Sequence, residues 1–198
     1  MGQYFDNDPS LESRPSTYRF SLFGEEFTFH SDLGVFSKDR LDDGSKLLLE
    51  TIGKTDLGTN ILDLGAGLGP IGLILAYLDP TRSVTLADVN DRALACCRQN
   101  AIDLGVAERC EILHSDVYLN LNKTFSTIVT NPPIRAGKAV TYAMYAGAPS
   151  HLIDGGQLIL VIRKQQGAES VESYLKTLFP SVSCLAKHKG YRIIVAKR

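Results

Sequence analysis

Nowhere in these 198 residues is there an apolar run long enough to span a bilayer, so a helical membrane protein is excluded. The opening stretch, MGQYFDNDPSLESRPST, lacks an apolar core and does not read as a signal peptide. Asp6 stands where a myristoylation signal needs Ser or Thr. Cys96, Cys97, Cys110 and Cys184 have no metal-type spacing, and His30, His114, His151 and His188 are scattered. A reducing, cytoplasmic setting without structural metal is expected. There is no internal repeat or low-complexity tract, and the length gives no room for a clear second domain. What remains is ordinary globular composition, 44% apolar and 22% charged, enough for one α/β domain with a sizeable core.

The formal net charge of −1 conceals a split. Residues 1–119 hold 10 Lys and Arg against 19 Asp and Glu, whereas residues 120–198 hold 11 against 3. A basic C-terminal half fits a polyanionic partner, although solvated Lys-rich faces are common in any case.

Residues 1–17 read as a polar arm. Over residues 18–59 the chain gives a hairpin in TYRFSLFGEEFTFH, turning near Gly24. A loop follows in GVFSKDRLDDGS, then a short helix in KLLLETI, capped by Asp43 or Ser45 and ending near Gly53. From Asn60 onwards strands alternate with helices. NILDLG, SVTLADV, CEILHSD, FSTIVTN and GGQLILVIR are strands. GPIGLILAYL, DRALACCRQNAIDLG, AVTYAMYAGAPSHLI and AESVESYLKTLF are helices, the third shortened by Pro149. Continuous apolar strands between helices imply a parallel sheet covered on both faces. The tail breaks this pattern: VSCLA and YRIIVA are joined only by KHKG, too short for a parallel crossover, so the last two strands are expected to be antiparallel.

DLGAGLGPIG, from Asp63 to Gly72, follows a strand and opens a helix. Glycines there allow a tight turn and close backbone approach to a nucleotide-type ligand, and the pattern alone also fits a nicotinamide-dependent oxidoreductase. The neighbouring acids discriminate. Asp63, at the strand end, suits an ammonium group and would repel a pyrophosphate. Asp88, in LADVN, can accept from two ribose hydroxyls, and Asp116, in HSDVY, from the amino group of adenine. An amino acid, a ribose and an adenine in one ligand describe S-adenosylmethionine. Taken singly, each Asp is also an ordinary cap or turn former.

At the fourth strand tip the chain reads Asn131-Pro132-Pro133-Ile134. A plain turn explains the prolines. A catalytic tip explains them as well: the Asn131 carboxamide oxygen and the Pro132 carbonyl would each accept one N–H of an exocyclic amine and aim its lone pair at a methyl group. The prolines would hold that geometry stiff.

Taken together, LDLGAGLGPIG, ADVN, SDVY and TNPPI resemble the ordered motifs of class I S-adenosylmethionine-dependent methyltransferases. GVFSKDRLDDGSKLLLE and NPPIRAGK narrow the likeness to the methyltransferase small-domain family, similar to the catalytic half of RsmC-type enzymes, which methylate guanine N2 in small-subunit ribosomal RNA. The resemblance spans nearly the whole chain. It implies a Rossmann-like, doubly wound sheet of about seven strands over residues 60–198, mostly parallel and closed by the antiparallel hairpin, with residues 18–59 as an N-terminal extension of the same domain. It also implies S-adenosylmethionine bound by Asp63, Gly65, Ala66, Gly67, Gly69, Asp88, Val89, Asn90, Asp116, Val117 and Asn131. Ser37 and Asp42 would contribute from the N-terminal loop, with Asn131, Pro132, Pro133, Ile134 and Phe36 at the reacting end. The implied partner is ribosomal RNA or a ribosomal subunit, with Arg135, Lys138, Arg163 and Lys164 near phosphates and Lys38 and Arg40 at the other rim. RsmC-type enzymes carry an additional N-terminal domain without a counterpart in these residues, so a dimer or a partner protein is expected to supply RNA affinity. Ile134 replaces the aromatic that adenine-N6 and protein-glutamine methyltransferases usually place after the prolines, and Phe36 is then the candidate for stacking on the base. Those two reactions, and a non-catalytic RNA-binding subunit of the same fold, remain alternatives.

Overall fold

The computed structural model describes residues 12–198. Most of the polar arm expected at the N-terminus therefore lies outside the described residues. Strands β1 (Ser16–Leu22) and β2 (Glu25–Ser31) form the expected antiparallel hairpin, with Phe20 opposite Phe27. Its two-residue turn, Phe23-Gly24, takes φ of 55° and 84°, which matches the right-handed twist of the flanking strands.

The remaining strands make one seven-stranded sheet: β3 (Asn60–Leu64), β4 (Ser83–Asp88), β5 (Cys110–His114), β6 (Phe125–Thr130), β7 (Leu152–Arg163), β8 (Ser181–His188) and β9 (Tyr191–Lys197). Their spatial order is β5-β4-β3-β6-β7-β9-β8. Strands β3 to β7 pair in parallel, and β9 inserts antiparallel between β7 and β8, so the closing hairpin is as expected. The helices are α1 (Asp43–Ile52), α2 (Pro70–Leu78), α3 (Asp91–Asp103), α4 (Lys138–His151) and α5 (Ala168–Leu178). None of the described helices is long and apolar enough to cross a membrane.

The apolar strands split residue by residue between two cores, because successive side chains leave opposite faces of a sheet. Ile61, Val84, Leu86, Val129, Ile159 and Val161 join α1, α2, α3 and the N-terminal hairpin. Leu62, Leu64, Ala87, Ile128, Leu158, Leu160 and Ile162 join α4 and α5.

Three local expectations are corrected. The cap of α1 is Asp42 rather than Asp43 or Ser45: its side chain accepts from the N–H groups of Gly44 and Ser45, so the helix starts at Asp43. Helix α4 runs through Pro149 to His151. Near its end the Tyr118 hydroxyl donates to Met144 O at 2.7 Å and Ser150 Oγ to Gly147 O at 2.9 Å. Strand β5 stops at His114, leaving Asp116 in the loop beyond, where Ser115 Oγ donates to Val117 O and Val117 takes φ of 50°.

Candidate active site

The order of strands turns over between β3 and β6: the chain runs outward from β3 to β5, then returns to the other side of β3. Ligands of open α/β sheets bind at such a switch point, outside the carboxyl ends of the strands. Register decides what meets there. Asp63 pairs with Leu86 on one side and with Val129 on the other, so Gly65, Asp88 and Asn131, each two residues further on, arrive at one level. Around them opens a cavity of about 560 Å³.

Its floor is the glycine turn. Gly65 and Ala66 donate backbone N–H to Ala87 O at 2.8 and 3.0 Å. Gly67 donates to Asp88 Oδ2 at 2.8 Å, while Asp88 Oδ1 accepts from Asn90 N–H at 2.8 Å. Burial pushes the Asp88 carboxyl upward, opposed by these backbone donors. Gly67 has φ of 57°, and a Cβ there would meet nothing within 4 Å: its face is open to the cavity. Gly69 differs. It has φ of 84° and does not line the cavity; a Cβ would come within 2.5 Å of Cys97 Sγ, so this glycine serves the packing of the turn on α3.

Asp63 also lies beneath the cavity rather than on its wall. It is fully buried, its Oδ2 accepts from Gly72 N–H at 2.8 Å, and its Oδ1 has no hydrogen-bond partner among the described residues. Burial pushes its carboxyl up to about 7, the Gly72 N–H working against the rise and the Asp88 charge adding to it.

Asp88, Val89, Asn90, Asp116 and Val117 line one side of the cavity, Asp116 being exposed. Phe36, Ser37, Arg40 and Asp42 bring the N-terminal loop over it. Buried polar groups hold that loop and the hairpin in place. Asn90 Nδ2 donates to Gly34 O at 3.0 Å. The fully buried Asn100 accepts from His30 N–H at 2.6 Å and donates to His30 O and Leu68 O, tying the hairpin to the glycine turn. Phe36 is 43% exposed at the cavity, so it is not a core residue.

The opposite wall is the Asn131-Pro132-Pro133-Ile134 tip. Thr130 Oγ1 donates to Leu64 O at 2.7 Å and pins β6 to β3 just before it. Pro133, at φ −76° and ψ 79°, makes an inverse γ-turn in which Ile134 N–H donates to Pro132 O at 2.9 Å. That carbonyl therefore already accepts one bond, and its second lone pair is what a substrate N–H could use. Asn131 Nδ2 donates to both oxygens of Asp42, at 3.2 and 3.1 Å, and to Ser45 Oγ at 3.0 Å.

Arg40, Arg135 and Arg163 line the mouth, whereas Lys38, Lys138 and Lys164 do not. Tyr18, Ser45 and Tyr191 line the cavity too and were not anticipated. Ser45 follows from a helix start at Asp43, which puts it beside Asp42. Tyr191 arrives only because β9 inserts next to β7, where the Arg163 guanidinium stacks 4.6 Å from its ring centre and donates to its hydroxyl at 2.6 Å. Tyr18 carries a buried hydroxyl without a partner among the described residues.

These features fit S-adenosylmethionine. Gly67 leaves its side of the cavity open at a helix start, Asp88 offers a carboxylate beside it, and the buried Tyr18 hydroxyl, on the cavity wall, has no hydrogen-bond partner among the described residues. A seven-stranded sheet with its penultimate strand position reversed and this cavity at the switch point defines the class of S-adenosylmethionine-dependent methyltransferases. Within that class the chain belongs to the methyltransferase small domain family, whose model matches residues 26–195. It is 43% identical to the uncharacterized protein YbxB of Bacillus subtilis, over 98% of both chains. It is 34% identical to ribosomal RNA small subunit methyltransferase C of Mannheimia succiniciproducens, over 76% of this chain and 45% of that one. Among solved structures it is similar to the T. thermophilus 16S rRNA N2 G1207 methyltransferase (RsmC) in complex with AdoMet and guanosine. The TM-score is 0.83 at 30% identity, over 96% of this chain and 52% of that one. The chain thus spans about half the length of these RsmC relatives.

Proposed function

We propose that this protein methylates an exocyclic amine of a nucleobase in RNA, namely guanine N2 of small-subunit ribosomal RNA. The observation that carries the reading is that the Asn131-Pro132-Pro133 tip and the glycine turn with Asp88 wall one cavity. S-adenosylmethionine supplies an electrophilic methyl group on a sulfonium when bound. The chain's own residues then have separable tasks. Asp88 and the backbone around Gly65, Ala66 and Gly67 hold the ribose side of the ligand, and Asp116 addresses its base. Asn131 Oδ1 and the second lone pair of Pro132 O accept the two N–H bonds of the amine and orient its lone pair. No strong base is needed, because orientation and fixed dipoles lower the barrier. Phe36, at the mouth, offers a ring face to the target base.

RNA as the substrate is supported by the charge around the mouth. Arg163 ends β7 and Lys164 follows it, and the β8–β9 turn, with exposed Lys187 and Lys189, lies against them: Lys164 N–H donates to Gly190 O at 2.8 Å. With Arg40 and Arg135 this makes a basic rim suited to phosphates. A second copy or a partner protein would extend that grip. The T. thermophilus RsmC, a 16S rRNA N2 G1207 methyltransferase in complex with guanosine, favours guanine over adenine or a protein amide.

The test is to incubate small-subunit ribosomal RNA, naked and assembled, with methyl-labelled S-adenosylmethionine, digest it and identify the labelled nucleoside. N2-methylguanosine is expected. Label in N6-methyladenosine or in protein would overturn the guanine reading.

A further inference from the structure

We propose that Asp42 and Ser45 are positioning residues: they determine which end of the Asn131 carboxamide faces the substrate. The inference rests on the methyl-transfer reading of this cavity. The two ends of a carboxamide have nearly the same shape and opposite hydrogen-bonding character, so a half-turn about one bond would replace the acceptor needed for an amine with a donor. Asp42 forbids that half-turn. Its carboxylate only accepts, and it takes Asn131 Nδ2 with both oxygens, at 3.2 and 3.1 Å, while Ser45 Oγ takes the same group at 3.0 Å. Flipped, Asn131 Oδ1 would face two anionic oxygens.

Asp42 is itself fixed. Its Oδ1 caps α1, accepting from Gly44 N–H at 2.9 Å and Ser45 N–H at 3.3 Å, and a Cβ on Gly44 would come within 3.0 Å of that oxygen. Asp42 Oδ2 addresses Asn131 alone among the described residues. One carboxylate therefore links the start of α1 to the tip of β6, 89 residues away in sequence. Cap and orienter are the same side chain: Oδ1 serves both the cap and Asn131, whereas Oδ2 serves Asn131.

This division makes the inference testable. Asp42→Asn keeps the capping oxygen and the volume, since Asn and Asp cap about equally well. It replaces Oδ2 with an amide nitrogen, so a donor faces Asn131 Nδ2, and the hold on that orientation is weakened to the contacts with Oδ1 and Ser45. Turnover should fall roughly 10²-fold, the scale for losing a preorganised hydrogen-bond group. The Kd for S-adenosylmethionine should stay within about threefold and Tm within a few degrees. Asn131→Asp alone should also lose turnover, through two facing carboxylates. The double exchange Asp42→Asn/Asn131→Asp rebuilds the bond with donor and acceptor reversed and again leaves an oxygen toward the substrate. It should recover at least about tenfold over either single variant, a non-additivity that generic damage does not produce. Wild-type turnover in Asp42→Asn, or a double variant no better than the worse single one, overturns the proposal. If even the wild type methylates no RNA, the functional reading fails, and the side-chain amide resonances of Asn131 still decide the orientation. They should shift and exchange faster in Asp42→Asn, and unchanged resonances overturn it.

Discussion

The loops after β3 and β6 are neighbours, level with each other, and built on opposite plans. After β3 the chain dispenses with side chains: Gly65, Gly67 and Gly69 all have positive φ, and nearby carboxylates of Asp63 and Asp88 are spent on the N–H groups of Gly72 and Gly67. There, side chains serve the backbone. After β6 the plan inverts. Two prolines and an inverse γ-turn stiffen the backbone, and one side chain, Asn131, is held from outside by Asp42 and Ser45. A surface that must fit a large ligand closely is best made of backbone, whereas a reacting group that must point in one direction needs a side chain with its rotamer fixed. On the proposed function, binding and chemistry are thus separated across a single strand pair.

The sharpest way to break this comparison is Asn131→Ala, which should lose roughly 10²–10³ in turnover while leaving cofactor affinity near wild type; equal losses in both, by steady-state kinetics and calorimetry, would join the two loops again. On the other side, Asp88→Ala should weaken cofactor binding by roughly 1.5–3 kcal/mol, read by calorimetry, as expected for hydrogen bonds to a charged group.

Much of this was legible from residues alone, and for a physical reason. Strand runs, glycines after a strand and prolines after another are local signals, governed by backbone geometry within a few positions, so β3, α2 and the Asn-Pro-Pro tip could be placed from sequence. The hairpin of β8 and β9 followed from loop length. What stayed hidden depends on contacts between distant segments. Asp42 looked like a site residue and proved also to be a helix cap. Gly69 read as part of the ligand cradle, yet its constraint is Cys97 on α3. Asn100, in the middle of a helix, gave no sign that it stitches the hairpin to the glycine turn. Tyr191 reaches the mouth only through the insertion of β9 beside β7.

The two glycines provide the next contrast within the first loop. Gly69→Ala should cost about 1–3 kcal/mol of stability, because the new methyl group strikes Cys97 and Leu73. Gly67→Ala meets no atom and should cost about 1 kcal/mol for its φ, but it should weaken cofactor binding more than it lowers Tm, because its methyl group projects into the cavity. Thermal melts with and without S-adenosylmethionine separate the two.

The smallest effect concerns Asp63. Its folded-state value of about 7 lies above that of an unfolded carboxyl, so folding takes up a proton between roughly pH 4 and 7. The cost to stability therefore grows as pH rises through that window and is complete above it. A cationic ligand above the turn offsets the cost of the ionised form, so S-adenosylmethionine should raise Tm more at pH 8 than at pH 6. The difference should shrink in Asp63→Asn.

The separation of binding from chemistry is tested most directly by turnover at saturating S-adenosylmethionine and RNA, measured side by side in Asp88→Ala and Asn131→Ala. The account predicts that saturation brings Asp88→Ala close to the wild-type rate and leaves Asn131→Ala far below it. Recovery of both, or of neither, would contradict it.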